Sequence, residues 1–306
     1  MTAAALFTLT GNLLAERTLE FERWAPGRTQ RAVAASFQVG GKGINVSKML
    51  SRLGAANTAL AFAGGAAGAE CTAWLRARGF AAELFATTAA TRSGTVVRSR
   101  DGTVGETTFL GPDVAPDAAA IRAAAAYLEA QPDGAVLAVC GSLPGWADAA
   151  FDPLRAALRR WSARGVLVAD TYGPPLPWFV AESGATLIKI NADEYRALGE
   201  PGDLAASLDA AVAARPRTSW VVSDGPRSVW LAGRGQPAAA ATPPAIREVS
   251  ATGSGDVLLA GILFALHVRR VDLRSAVEFA LPLAAANAAH PGVAEFPLPA
   301  VPEISK

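Results

Sequence analysis

The segment Ser250-Ala-Thr-Gly-Ser-Gly-Asp256 places two glycines and a carboxylate directly ahead of an apolar run at 257–268. Glycine backbone can approach a ligand closely, and the amides of a first helical turn point at an anion. A carboxylate at that junction suits removal of a proton from a hydroxyl as it attacks phosphorus. The same residues would also serve as an N-cap and a tight turn. The pattern is not a dinucleotide fingerprint, because Leu258 occupies the third small position and the motif lies far from the first strand.

Two further segments carry chemistry of the same kind. Gly40-Gly41-Lys42-Gly43-Ile44-Asn45-Val46 is a glycine-rich turn entering a helix; its lysine resembles a phosphate-loop lysine, although no Ser or Thr follows it. Read alone, it is also a turn with a solvated lysine. Lys189-Ile190-Asn191-Ala192-Asp193-Glu194 falls where a central strand should end and a helix begin. Asn191 and Glu194 suit a hydrated Mg2+ there, or equally a helix-capping pair.

Positioning these groups is the task of the surrounding elements. Compact apolar runs at 6–9, 59–63, 135–140, 166–169, 186–190 and 220–222 read as strands covered on both faces. Helical patterns at 44–53, 70–78, 151–164 and 204–214 separate them. Such alternation predicts an α/β fold with a doubly wound, mostly parallel sheet flanked by helices. Ligands in such sheets gather at the carboxyl ends of the strands. Segments 13–39 and 93–110 break the rhythm, the second turning at Asp101-Gly102, and read as antiparallel strands forming a small β lid. The whole of 1–306 is expected to form one domain with that lid inserted in it.

Composition narrows the classes of function. With 28 basic and 27 acidic residues, the chain has no field to steer a polyanion, so a nucleic-acid partner is not expected. Two cysteines, Cys71 and Cys140, make no disulfide framework, and two histidines, His267 and His290, exclude a histidine-rich metal site. The first residues lack a basic region ahead of their apolar stretch, and 257–268 is too short to span a bilayer. A cytoplasmic protein with no membrane partner is therefore expected.

The order of the three motifs resembles the PfkB (ribokinase-like) carbohydrate kinase family, from about Leu6 to His290. Gly40 to Val46 looks like its early signature and Ala251 to Asp256 its late one. Asn45-Val46 with Gly141-Ser142-Leu143-Pro144 resembles the phosphosugar branch, which includes 1-phosphofructokinases and tagatose-6-phosphate kinases. The resemblance implies an ATP-dependent kinase using Mg2+, with Asp256 as general base and Gly253, Ser254 and Gly255 as an anion hole. It implies sugar contacts from Gly40, Gly41, Lys42 and Asn45, and a substrate-phosphate site at Arg92 and Ser142. Lys189, Ser223, Gly225, Thr252 and Asn287 would hold the nucleotide, and Asn191 and Glu194 the metal. Family members often pair their lids across a dimer, so a homodimer through the lid is expected.

Two positions depart from the family pattern. Leu14 stands where an Asp usually accepts sugar hydroxyls; Asn12 and Glu16, on the same face of an extended segment, are the candidates to replace it. Ser223-Asp224-Gly225-Pro226 replaces a glycine-rich nucleotide turn, adding a negative charge or simply another tight turn. A kinase of a sugar phosphate is the leading expectation. The alternatives are a kinase of an unphosphorylated sugar or nucleoside, and a ligand-binding paralogue without turnover.

Overall fold

The structure is a computed structural model that describes residues 4–102, 105–199 and 202–299. It begins with β1 (Leu6–Thr10), β2 (Leu14–Phe21), β3 (Ala34–Gly40), α1 (Lys42–Arg52), β4 (Asn57–Ala63), α2 (Gly65–Ala77) and β5 (Ala82–Ala86). Next come β6 (Arg92–Ser99), β7 (Thr107–Leu110), α3 (Ala118–Glu129), β8 (Val136–Cys140), α4 (Asp152–Arg164), β9 (Val166–Asp170) and α5 (Pro175–Ala181). The remainder comprises β10 (Leu187–Asn191), α6 (Ala192–Arg196), α7 (Leu204–Ala214), β11 (Ser219–Asp224), β12 (Ser228–Gly233), β13 (Gln236–Ala241), α8 (Ser254–Phe264) and α9 (Leu273–Ala288).

A nine-stranded sheet runs in the order β13-β12-β11-β10-β9-β8-β1-β4-β5. All pairs from β11 to β5 are parallel, and β12 and β13 complete one edge antiparallel. The fold is thus the expected doubly wound α/β sheet. Its short apolar strands bury both faces by simple alternation. Leu137 and Val139 of β8 pack with Ile121, Leu158 and Trp161, whereas Val136, Ala138 and Cys140 pack with Leu50, Ile262 and Val277 on the opposite face. The apolar run after Asp256 is the buried helix α8, packed so tightly on α9 that a Cβ at Gly261 would lie 2.7 Å from Ala280 Cβ. Among the described residues no helix is long and apolar enough to cross a membrane.

The small second sheet has the order β3-β2-β6-β7. Its outer pairs are antiparallel as expected, but the central β2–β6 pair is parallel, so the sheet is mixed rather than purely antiparallel. The reason lies in the main sheet. β2 leaves the carboxyl end of β1 and β6 follows β5, and those two strands run the same way. Each excursion then returns as a hairpin partner, β3 or β7. Elements absent from the sequence reading are β5, α3, α5, β12, the alanine-rich edge strand β13 and α9; the first five have no strong apolar period, and Pro282 interrupts the pattern of α9.

The chain order reverses at β1: β4 and β5 lie on one side of it and β8 to β11 on the other. The carboxyl ends of β1 and β8 lie side by side at that switch point, the position at which open α/β sheets hold a ligand crevice. Thr10-Gly11-Asn12 and Cys140-Gly141-Ser142 form its two lips.

Candidate active site

Helix α8 carries Asp256 and the glycines of the late sequence signature at its N-terminus. Gly253 takes a left-handed φ of +74°, and a Cβ there would come within 2.2 Å of Val293 Cγ1. No side chain caps the helix, so its first-turn amides beside Asp256 are left for another acceptor. The Ser254 N–H turns back to Ala251 O at 3.2 Å, which leaves Gly253 and Gly255 as the stronger anion donors of the expected three. Gly255 has a second reason to be glycine, because a Cβ would lie 2.7 Å from Lys189 Nζ. The expected anion hole and an ammonium group are therefore packed directly together.

Around that helix end the polar residues form one network. Asp256 is 4% exposed, and its Oδ2 accepts from Asn45 Nδ2 at 2.7 Å. Asn45 lies in the first turns of α1, just after the glycine turn Gly40-Gly41, so the two sequence signatures meet at this bond. Lys42, also on α1, donates to Asp170 Oδ1 at 2.9 Å and lies 3.9 Å from Glu194 Oε1. Lys189, from β10, donates to Asp170 Oδ2 at 2.9 Å. Both oxygens of the fully buried Asp170 are thus held by ammonium groups.

Burial raises the Asp256 carboxyl to about 6, with Lys42 pulling it down, Asp170 pushing it up, and Lys189 and Asn45 pulling it down again. An ordinary aspartate titrates near pH 4, whereas burial poises this carboxyl close to neutrality. Burial also disfavours ionised Asp170, yet Lys189 and Lys42 hold it below the usual carboxylate range. Lys42 loses solvation on burial, but Asp170, Asp256 and Glu194 together raise its affinity for a proton. The site therefore presents two fixed cations and one carboxylate near neutrality beside a helix N-terminus.

The remaining expected residues fall around this centre. Asn191 and Glu194 close a capping box on α6: Asn191 Oδ1 accepts from Glu194 N and Glu194 Oε2 from Asn191 N, both at 2.8 Å. The capping alternative is realised, and Glu194 Oε1 still faces Lys42. Ser223 lies opposite Asn191 in the β10–β11 pairing, and Gly225 makes the β11–β12 turn. Asp224 is no loose charge at this turn, because Arg227 Nε donates to its Oδ2 at 2.7 Å. Thr252 is exposed beside the anion hole. Asn287 is buried, and its amide is committed to Thr252 O at 2.9 Å, Ser254 Oγ at 3.0 Å and the Ala294 N–H at 2.8 Å. It braces the anion loop from behind. His267 lies on the turn after α8, where burial lowers it to about 4, and His290 stays in a loop accepting from Gly292 N at 2.9 Å.

At the β1–β8 lips the side chains form a second cluster. Asn12 Nδ2 donates to Ser142 Oγ at 3.0 Å and to Asp113 Oδ1 at 2.7 Å. Arg92 Nη1 donates to the same Asp113 Oδ1 at 2.8 Å. Gly11, Asn12, Leu13, Thr91 and Arg92 line a small pocket here. Leu14 is buried at the root of the small sheet, and a Cβ at Gly40 or Gly94 would lie 3.2 or 3.1 Å from its methyl carbons. It is a packing residue. Of the two candidates to replace the missing acid, Asn12 enters the pocket, while Glu16 accepts from Gln38 next to Gly40.

Asp170, Asp113 and the cross-motif bond from Asn45 to Asp256 were not read from the sequence. Asp170 had a usable signal, because it directly follows the apolar run 166–169 at the carboxyl end of a strand. Asp113 sits in an aperiodic Gly-Pro-Asp loop and had none.

A doubly wound sheet, an uncapped helix end, an adjacent buried carboxylate and paired lysines suit the handling of phosphoryl groups. Residues 9–301 match the pfkB family carbohydrate kinases, and the chain belongs to that family. It is accordingly a carbohydrate kinase, of a family that implies ATP as donor. Among its relatives, 1-phosphofructokinase of Xanthomonas campestris is 30% identical over 283 residues, covering 89% of this chain and 87% of that protein. ATP-dependent 6-phosphofructokinase isozyme 2 of Mycobacterium tuberculosis is 31% identical over 301 residues, covering 93% and 86%. The solved phosphofructokinase-2 of Escherichia coli superposes with a TM-score of 0.85 at 22% identity, covering 95% of this chain and 94% of that one.

Proposed function

We propose that this kinase transfers the terminal phosphoryl group of ATP to a hydroxyl of a ketohexose phosphate, in the manner of a 1-phosphofructokinase. The observation that carries the reading is Asp256: a buried carboxylate, raised to about 6, at the uncapped N-terminus of α8 and tied to the glycine-turn helix through Asn45. Asp256 takes the acceptor proton as the hydroxyl oxygen approaches phosphorus. In a loose transition state that proton leaves late, so a base near neutrality is strong enough. Gly253 and Gly255 direct amides at the transferring group, and Lys189 and Lys42 balance its charge.

Gly40, Gly41 and Asn45 line the sugar side of that carboxylate, and Arg92 with Ser142 takes the substrate phosphate. Ser223, Gly225 and Thr252 border the nucleotide, with Asn287 holding the loop in place. Among the described residues no three acids, histidines or cysteines gather to cage a bare cation. That suits Mg2+, which commonly keeps its waters and binds through one or two carboxylates plus substrate phosphates. Glu194 and Asn191 would hold it through water, where it would neutralise charge on the phosphates. Leu14, now explained by packing, gives no reason to read the chain as a paralogue without turnover.

Arg92→Ala tests the acceptor assignment. Charge-assisted hydrogen bonds contribute about 1.5–3 kcal/mol, so KM for the phosphorylated ketohexose should rise about tenfold to a hundredfold. KM for the free sugar should hardly move. An equal effect on both acceptors would refute the phosphosugar assignment.

We also propose that the small sheet closes a homodimer. Val33, Phe109 and Leu110, on or beside its two edge strands, are 48%, 54% and 54% exposed, and such apolar edges are normally covered. Sedimentation should give a dimer that Phe109→Asp converts to monomer; a monomeric wild type would end this proposal.

A further inference from the structure

The Arg92 cluster contains a carboxylate that a phosphate-binding site does not need. Asp113 Oδ1 receives hydrogen bonds from Arg92 Nη1 and Asn12 Nδ2, and Asn12 also reaches Ser142 Oγ. Arg92 and Ser142 are the groups assigned above to the substrate phosphate, so the carboxylate already occupies their neighbourhood. Arg92 is 12% exposed and its buried Nε has no hydrogen-bond partner, so Asp113 leaves the guanidinium only partly satisfied. Asp113 is 51% exposed and can turn into water at small cost. Asp113 follows β7, which pairs antiparallel with β6, the strand that Arg92 begins. The register of that hairpin brings the two residues together, and Asn12, arriving from β1, holds the same carboxylate oxygen.

We propose that Asp113 is a positioning residue, an internal stand-in for the substrate phosphate that holds Arg92 and Asn12 in place until an anionic substrate displaces it. A phosphate dianion offers Arg92 more acceptor oxygens and more charge than one carboxylate. A neutral sugar offers neither. With a neutral sugar, Arg92 keeps its internal partner and gains nothing from binding. The exchange thus sets the affinity for anionic acceptors and leaves that for neutral ones untouched. Displacement costs the phosphosugar part of its affinity, because exposed ion pairs are weak yet the departing carboxylate remains a nearby like charge.

This inference rests on the phosphosugar reading, but its test does not depend on turnover. Inorganic phosphate binding is measured by calorimetry on the wild type, Asp113→Asn, Asp113→Ala and Arg92→Ala. Both Asp113 variants should bind phosphate more tightly, by about fivefold, and Arg92→Ala should bind it much more weakly. KM for the phosphorylated ketohexose should fall in the two Asp113 variants by a similar factor. Phosphate affinity that is unchanged or reduced in both Asp113 variants would overturn the proposal. So would a KM that rises for free and phosphorylated sugars alike, which would make Asp113 an acceptor for sugar hydroxyls. Failure of the function reading would look different, as absent ADP release from any phosphosugar while the phosphate titrations still separate the variants.

Discussion

Asp256→Asn should lower kcat by about a thousandfold while leaving the protein folded. Positioned general bases contribute about 10²–10⁴ to rate, and this one has no neighbouring carboxylate free to replace it, since Asp170 is locked between two lysines. The Asn side chain keeps an oxygen to accept from Asn45, so the α1–α8 link survives. In the wild type, kcat/KM should fall as pH drops through about 6, because protonated Asp256 cannot take the acceptor proton. The residual activity of the variant should lack that limb. Stability gives an independent sign. A carboxyl whose folded value is raised from about 4 to about 6 favours the protonated form in the fold. Its contribution is therefore most favourable below about pH 4, is lost as pH rises to about 6, and remains a cost above that. The variant should melt at a higher temperature than the wild type at pH 8. A variant with normal kcat, or one destabilised at pH 8, would contradict this account of Asp256.

The second large effect is on the fold. Asp170→Asn leaves Lys189, which is 4% exposed, without its counter-ion and weakens the hold on Lys42. Removing one partner of a buried ion pair typically costs about 3–5 kcal/mol, because the other charge stays desolvated. Equilibrium denaturation should show a loss of that size. Adding Lys189→Met to the Asp170→Asn variant should recover part of it, since the stranded charge is then gone. Asp170 also pushes the Asp256 carboxyl up, so any activity left in Asp170→Asn should show its acid limb at lower pH. Wild-type stability in Asp170→Asn would mean that the two lysines need no buried counter-ion. The role given to Asp170 would then fail.

Much of this architecture was legible because its strands are short, apolar and buried on both faces. The runs around 136–140 and 187–190 could be read without knowing their neighbours. The two glycine segments were legible for a related reason: glycine at a helix start constrains backbone, and that constraint is local. What escaped depends on contacts distant in sequence. Asp113 is an ordinary loop residue until a hairpin brings it to Arg92, and Asp170 is an ordinary strand-end acid until β10 and α1 deliver lysines to its two oxygens. The parallel join of β2 to β6 likewise follows from the directions of β1 and β5 and from nothing within either strand. Leu14 was conspicuous as a missing acid. Its meaning appeared only with Gly40 and Gly94 placed against it.

The most direct test of the central claim is ADP release from Mg-ATP across a panel of free and phosphorylated ketohexoses, with Asp256→Asn and Arg92→Ala alongside the wild type. The account predicts turnover with a phosphorylated ketohexose, nearly abolished in Asp256→Asn and weakened through KM in Arg92→Ala. ADP release that favours a free sugar, or persists in Asp256→Asn, would contradict it.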